Sequence, residues 1–586
     1  MPTLRHPDWM KTPSSISGIL VAFSLLLFIN GLVLYNSILH NPLVGYDAKP
    51  YAQYIVGLGN GRLPQSSETK EFFSPPLPFL FPALLASARP ASLVLGLKAG
   101  QLLNVVISVG VTLSLLKVCQ VVRPGDRRLQ LCSLGFFGIL PVYYKTLSFP
   151  PRGEPFVLLF TMLAVQLLLE RLFSGEVAAV GSAQVGLVGR VRRFSTKRTL
   201  LILVGLLAFA GIALLLIQRA LLADLAHSQI EAAYSGRALP LVNSLFRSVA
   251  TDMGAKPVSI YLLRADAFLN RGWVLGLILL FGGLPLLIRL AFPGARELAF
   301  GLSLGLLLLS RQWGFLVFVG LGLFIALLLV ARHPMARVGL RWMISGSCLA
   351  FLISGWFYLS LLHQYGTPAA FNRPPKAGFS LSNQPASFYF GLGDGRLFTE
   401  PIRGSFVNQL LPILYSETWG DYWCYFSADG RGAASIPDAR ACLRPGQTGR
   451  TWLPVSQPSL GAYLGRVNLV SLVPSLVAAA ALALGLISAG RVLLAGDKSM
   501  ESVAAALLTM IFFACLGGFT LFMIMFPSES GKTIKASYVL QVFPLIAILA
   551  GLLLTRIHSW KPSVCYGFLL ALAAVCMHNL GAMITQ

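Results

Sequence analysis

Residues 45–82 read GYDAKPYAQYIVGLGNGRLPQSSETKEFFSPPLPFLFP. They follow a charge-free apolar run at 17–38, and an uncharged apolar stretch of about 18 or more residues marks a transmembrane helix. A carboxylate, Asp47, stands just beyond that run, Tyr51 and Tyr54 follow it, and Pro75-Pro76-Leu77 closes the stretch before the sequence turns apolar again. This is a loop that leaves a bilayer and returns to it.

The rest of the chain repeats the pattern. Of 586 residues, 55% are hydrophobic and 12% charged, with a mean hydropathy of +0.72. Globular soluble chains carry about 25% charged residues, so the reading is an all-α polytopic membrane protein. Thirteen spans are expected, near 17–38, 99–122, 128–146, 155–172, 199–218, 273–291, 297–311, 313–331, 340–361, 464–486, 503–526, 538–555 and 562–580.

The net charge of +24 would point to nucleic acid in a soluble chain, but its distribution gives it another meaning. Alternate connections are basic: Arg5 and Lys11, Arg123 with Arg127 and Arg128, the run from Arg190 to Arg198, Arg332 with Arg337 and Arg341, and Arg556 with Lys561. The positive-inside rule places these in the cytoplasm. The expected topology has the N-terminus cytoplasmic, the C-terminus outside, and no nucleic-acid partner. Segment 1–38 reads as a signal anchor, because its apolar core is too long for a cleaved signal peptide.

Three regions follow. Residues 1–361 form a transmembrane module with a first outer loop at 39–75, residues 362–462 a large outer loop, and residues 463–586 a C-terminal group of helices. GEVAAVGSAQVGLVG (175–189) reads as a cytoplasmic linker. Six of the eight cysteines lie in or beside spans. Cys424 and Cys442 share the large outer loop, where they either pair, if that side is oxidising, or remain two thiols.

Several strings that suggest chemistry fail on spacing. SESGKT (528–533) ends like a P-loop, but Phe526 stands where the first glycine is required. GLGNG (57–61) and GLGDG (391–395) have the wrong spacing for a dinucleotide fingerprint and read as turns. The seven histidines form no zinc-binding pair, and no G-x-S-x-G elbow occurs.

What remains is a set of charges at the outer ends of spans. Asp47 follows the first span, Glu154 opens the fourth, Arg311 closes the seventh, and Lys532 and Lys535 precede the twelfth. A charge at the centre of a membrane helix costs about 2.5–3.5 kcal/mol on insertion scales, so charges gathered at one depth are informative. A carboxylate base beside cations suits attack of a hydroxyl on a sugar carbon while a phosphate departs. General-base help contributes about 10²–10⁴-fold to such a step, and the cations stabilise the leaving group.

These stretches resemble the type C (GT-C) superfamily of membrane glycosyltransferases, in particular the protein O-mannosyltransferase and lipid A aminoarabinose transferase group. The resemblance rests on Asp47, Tyr51-Ala52, Gly61-Arg62-Leu63-Pro64 and Pro75-Pro76-Leu77 in the first loop, and on Arg152-Gly153-Glu154-Pro155, LSRQWG (309–314) and KASYVLQVFPLIAILAG (535–551). Ala48 stands where many members carry a second acid after the first, so Glu154 or Glu71 would supply the second carboxylate.

The resemblance implies a GT-C bundle with interfacial helices in the first outer loop. It also implies transfer of a sugar from a polyprenyl-phosphate donor to a hydroxyl of a lipid, glycan or protein acceptor, on the non-cytoplasmic side of the lipid bilayer. Asp47 would be the base and Glu154 the second carboxylate. Lys535 and Arg311 would hold the donor phosphate, with Lys532 and Arg152 as weaker candidates. Tyr51 and Glu71 would serve the acceptor side or support the site. The large loop has no counterpart in the resemblance, and there Glu417 and Asp421 are read from the sequence itself as candidates to line the acceptor side. Some members use a divalent cation, magnesium or manganese, and the sequence shows no dedicated cage for one. The aromatic residues of YSETWGDYW (415–423) read either as an interfacial belt or as a sugar-stacking platform. A transporter or lipid-linked-sugar flippase is the rival class, although no internal repeat is found; a catalytically silent scaffold of the same fold is the third reading.

Overall fold

The computed structural model describes residues 16–88, 93–181, 296–373, 375, 378–426 and 460–585. Among the described residues the chain is helical, with no strand, and eight helical stretches are long and apolar enough to cross a membrane. Of the thirteen expected spans, those at 199–218 and 273–291 lie outside the described residues, as does Cys442. Three others, 128–146, 297–311 and 313–331, are met by shorter helices.

The N-terminal half begins with α1 (Ile16–Leu39), α2 (Ala48–Gly59), α3 (Leu77–Ala88) and α4 (Leu93–Val122). In α2, Ala48, Tyr51, Ala52 and Ile55 are buried, a 3–4 residue spacing that places them on one face, as expected of a helix lying along the bundle rather than across the bilayer. Helix α3 packs against both α2 and α4.

The expected span at 128–146 is divided into α5 (Arg127–Gly138) and α6 (Pro141–Ser148). Pro141 has no amide proton and forces Leu140 into an extended conformation, which ends α5. All eight residues of α6, including Lys145, are buried.

Then come α7 (Glu154–Gly181), α8 (Arg296–Ser310), α9 (Gly314–Val330) and α10 (Ala336–Tyr365). Helix α7 runs on into the expected 175–189 linker as far as Gly181. The 15 described residues of α8 rise about 22 Å. It lies against α7 and α10.

In the large loop, short helical turns and α11 (Leu410–Trp419) pack on the bundle, where the Trp423 indole donates to the Ile534 carbonyl at 3.0 Å. The chain closes with α12 (Leu460–Val470), α13 (Leu472–Ala495), α14 (Met500–Met525), α15 (Val542–Trp560) and α16 (Pro562–Met583). Leu352, Leu476, Leu494 and Leu570 are exposed on helix surfaces, which suits contact with lipid.

The two ends of the bundle differ. At one end Glu501 joins Arg123 at 2.7 Å and Arg556 at 2.6 Å, tying α4, α14 and α15 together. At the other end Asp47, Glu154, Arg311 and Lys535 gather. Each sits at a helix terminus or the loop beside it, so the fold brings four distant stretches to one depth.

Candidate active site

Asp47 occupies the N-cap of α2 in the left-handed conformation, φ 56° and ψ 23°. An N-cap aspartate ordinarily accepts an amide proton from its own helix. Here the side chain makes no such bond, and Lys535 Nζ donates to Asp47 Oδ2 at 2.9 Å instead. Left-handed backbone at a non-glycine residue costs about 1–3 kcal/mol and collects at functional sites. Aspartate tolerates it better than most residues.

Two arginines complete the group. Arg152 Nε donates to Glu154 Oε2 at 2.9 Å. Arg311 Nη1 donates to Glu71 Oε2 at 2.8 Å and to the Ser74 hydroxyl, and its Nε lies 3.6 Å from Glu154 Oε1. Ser74 in turn donates to Glu71 at 2.5 Å. Three carboxylates thus face three cations. Their exposures differ in a way that matters: the Asp47 side chain is 31% open, against 4% for Glu71 and 1% for Glu154. Asp47 is the acid that an incoming molecule can reach.

Electrostatics separate the acids further. Burial pushes Asp47 up, but the Lys535 ammonium, with Arg152 and Arg311 behind it, holds the carboxyl below the usual aspartate value. Burial pushes Glu71 up as well, and there it prevails over the pull of Arg311, with the charge on Asp47 adding to it. Burial lowers Lys535, yet Asp47 and its neighbours carry the ammonium above its ordinary value.

Donors remain at the cluster. Arg152 Nη1 and the Tyr51 hydroxyl are buried with no hydrogen-bond partner. Tyr46 and Tyr538 frame them: the Lys535 ammonium lies 4.8 Å and 5.3 Å from those two rings, and Arg152 lies 5.4 Å from the Tyr46 ring. Lys532, expected beside the phosphate, is exposed and makes none of these contacts.

Glu417 and Asp421 sit next to this cluster but are closed off. Lys145 donates to Glu417 Oε1 at 2.6 Å and to the carbonyls of Glu417 and Gly420, both at 2.9 Å, and its ammonium lies 3.9 Å from Asp421 Oδ1. The Tyr46 hydroxyl donates to the same Glu417 oxygen, so Tyr46 joins the two ionic groups. Burial raises Glu417 against the pull of Lys145. Trp419, Tyr422 and Trp423 are buried with them, so these aromatic residues form neither a belt nor an open platform; they are core.

Lys145, Tyr46, Ser74 and Tyr538 are the members that the sequence reading did not assign. Lys145 carried a signal, as the one cation in the otherwise uncharged run at 129–146. Among the described residues, no group of three or more His, Cys, Asp and Glu side chains is arranged to hold a metal ion. Asp47, Glu71 and Glu154 each face a cation at close range, a donor set that does not suit a divalent ion.

The local packing leaves no slack. A Cβ on Gly153 would run into the Ser310 carbonyl and the Arg311 side chain. Gly153→Ala should therefore push α7 away from the end of α8 and cost about 1–3 kcal/mol, read as a lower melting temperature of the purified protein. An unchanged melting temperature would mean that the two termini can separate freely.

No protein-family model matches the chain, and no curated protein matches it. Among solved structures, the crystal structure of the Archaeoglobus fulgidus oligosaccharyltransferase in the apo form aligns with 99% of this chain at 12% identity and a TM-score of 0.42. The chain corresponds to 57% of that protein's length, and the likeness is too loose to establish a common fold.

Proposed function

We propose that the protein is an integral membrane glycosyltransferase of the GT-C type, moving a sugar from a polyprenyl-phosphate donor to an acceptor hydroxyl. The observation that carries this reading is the pairing of Asp47, the most accessible of the cluster's three carboxylates, with Lys535, beside the two other cations Arg152 and Arg311. In it Asp47 removes the acceptor proton, the acceptor oxygen bonds to the anomeric carbon, and the bond from that carbon to the phosphate oxygen breaks. The phosphate leaves with the electron pair.

Lys535 links the two halves of the step. As Asp47 gains a proton its hold on Lys535 weakens, and the ammonium turns to the phosphate as negative charge grows there. Such an interaction is stronger in the transition state than in the ground state, which is what accelerates a reaction. Arg152 Nη1 and the Tyr51 hydroxyl supply buried donors for the remaining phosphate oxygens. Glu154 and Glu71 hold the two guanidiniums in place.

The test is a transfer assay in nanodiscs with a panel of radiolabelled polyprenyl-phosphate sugars and membrane extract as acceptor. Label moving to an acceptor supports the class and names the sugar. Label that crosses the bilayer without being transferred would replace this reading with a flippase. Within the assay, Arg152→Lys removes the free guanidinium arm while keeping a charge. A hydrogen bond to a charged group contributes about 1.5–3 kcal/mol, so the KM for donor should rise about tenfold or more. An unchanged donor KM would take Arg152 off the phosphate.

A further inference from the structure

A second charged concavity lies at the other end of the same helices. Arg171 on α7, Arg296 and Glu297 at the start of α8, and Arg337, Arg341 and Trp342 at the start of α10 line a cavity of about 480 Å³. Along α7, Arg171 is 17 residues from Glu154, and along α8, Arg296 is 15 residues from Arg311, separations of about 26 Å and 22 Å by helix rise. The cavity is thus nearly a hydrocarbon thickness from the candidate active site, and the two cannot share one bound headgroup.

Its charge is lopsided. Four guanidiniums meet one lining carboxylate, and Glu297 accepts a hydrogen bond from Ser345 at 2.6 Å. The start of α10, after the N-cap Met335, adds the partial positive charge of a helix N-terminus. Beside the cavity the surface turns apolar at once: Leu298, Leu340 and Ile344 are exposed on the same two helices. Arginine forks match phosphate oxygens two at a time, and basic pockets between membrane helices on the positive side suit anionic headgroups.

We infer that this cavity binds the phosphate headgroup of an anionic phospholipid, with the acyl chains lying along Leu298, Leu340 and Ile344. A soluble anion would gain from the arginines alone and would leave those three side chains without a role. The site would tie a lipid of one leaflet to the pair of helices, α7 and α8, whose opposite ends carry Glu154 and Arg311.

The experiment follows the melting temperature of the full-length protein in detergent as phosphatidylglycerol, phosphatidylcholine or inorganic phosphate is added. Phosphatidylglycerol should raise it saturably, and the other two should not. Arg337→Gln with Arg341→Gln, both exposed positions, should lose most of that rise, whereas Arg127→Gln with Arg128→Gln, elsewhere in the basic connections, should keep it. An equal rise with phosphatidylcholine overturns the proposal, as does an undiminished rise in the Arg337/Arg341 variant. A rise with inorganic phosphate alone would make the ligand a soluble anion and overturn the lipid. Should the glutamine pair not fold, Arg337→Lys with Arg341→Lys keeps the charge but not the fork and should at least halve the rise; no change there sinks the idea too. Binding of this kind needs no sugar donor, so it stands or falls separately from the transferase reading.

Discussion

Asp47→Asn is expected to leave the protein folded and to lower kcat by about 10²–10⁴-fold, the usual contribution of a positioned general base. Asparagine keeps the size of the side chain and tolerates the left-handed backbone at this position, so chemistry and local conformation are separated. Donor KM should change much less than kcat, because Lys535 stays in place to meet the phosphate. The pH dependence gives a second reading. Since Lys535, with Arg152 and Arg311 behind it, outweighs burial and holds the Asp47 carboxyl below its usual value, the acid limb of kcat/KM should fall below the ordinary aspartate range. Lys535→Met removes that counterweight and leaves the burial, so the limb should move to higher pH, with activity lost earlier as pH falls. A limb that stays where it was in Lys535→Met, or a kcat untouched by Asp47→Asn, would remove Asp47 from the proton transfer.

The largest effect on stability is expected at Lys145. Its three ammonium protons are all donated, to Glu417 Oε1 and to two carbonyls, and both members of the Lys145–Glu417 pair are at most 1% exposed. Breaking a buried ion pair from one side leaves an uncompensated charge, at a cost of about 3–5 kcal/mol. Lys145→Met should therefore give a protein that melts far lower or fails to leave the membrane as a monodisperse species. Adding Glu417→Gln to Lys145→Met should restore part of the loss, because a neutral amide still accepts from Tyr46 and carries no charge to bury. If Lys145→Met melts like the unaltered protein, the Lys145–Glu417–Asp421 group does not hold α6 to the large loop.

What could be read from the sequence was the part set by local composition. Helix α1 is a charge-free run of bilayer length, and α2 shows its buried face in the spacing 48, 51, 52, 55. The Pro141 break was equally local, but the apolar residues around it read more strongly than the missing amide proton. The pairings are another matter. That Asp47 meets Lys535, Arg311 meets Glu71 and Lys145 meets Glu417 depends on how helices hundreds of residues apart pack, and no periodicity carries that. Arg152 with Glu154 is the exception, two residues apart and legible as a motif. Glu417 and Asp421 stood as acceptor-side candidates from their place in the large outer loop; the structure buries both, Glu417 against Lys145.

The bond between Asp47 and Lys535 joins positions 488 residues apart. A ribosome feeding this chain into a membrane has exposed Asp47 near the start and does not deliver its partner until all but the last helices are in place. Through most of synthesis the carboxylate would be held by water or by transient neighbours, and no chain that stops short of position 535 can have the pair. On the proposed transferase reading, activity in a freshly translated sample would count only chains made past position 535, so turnover would report how far insertion had run.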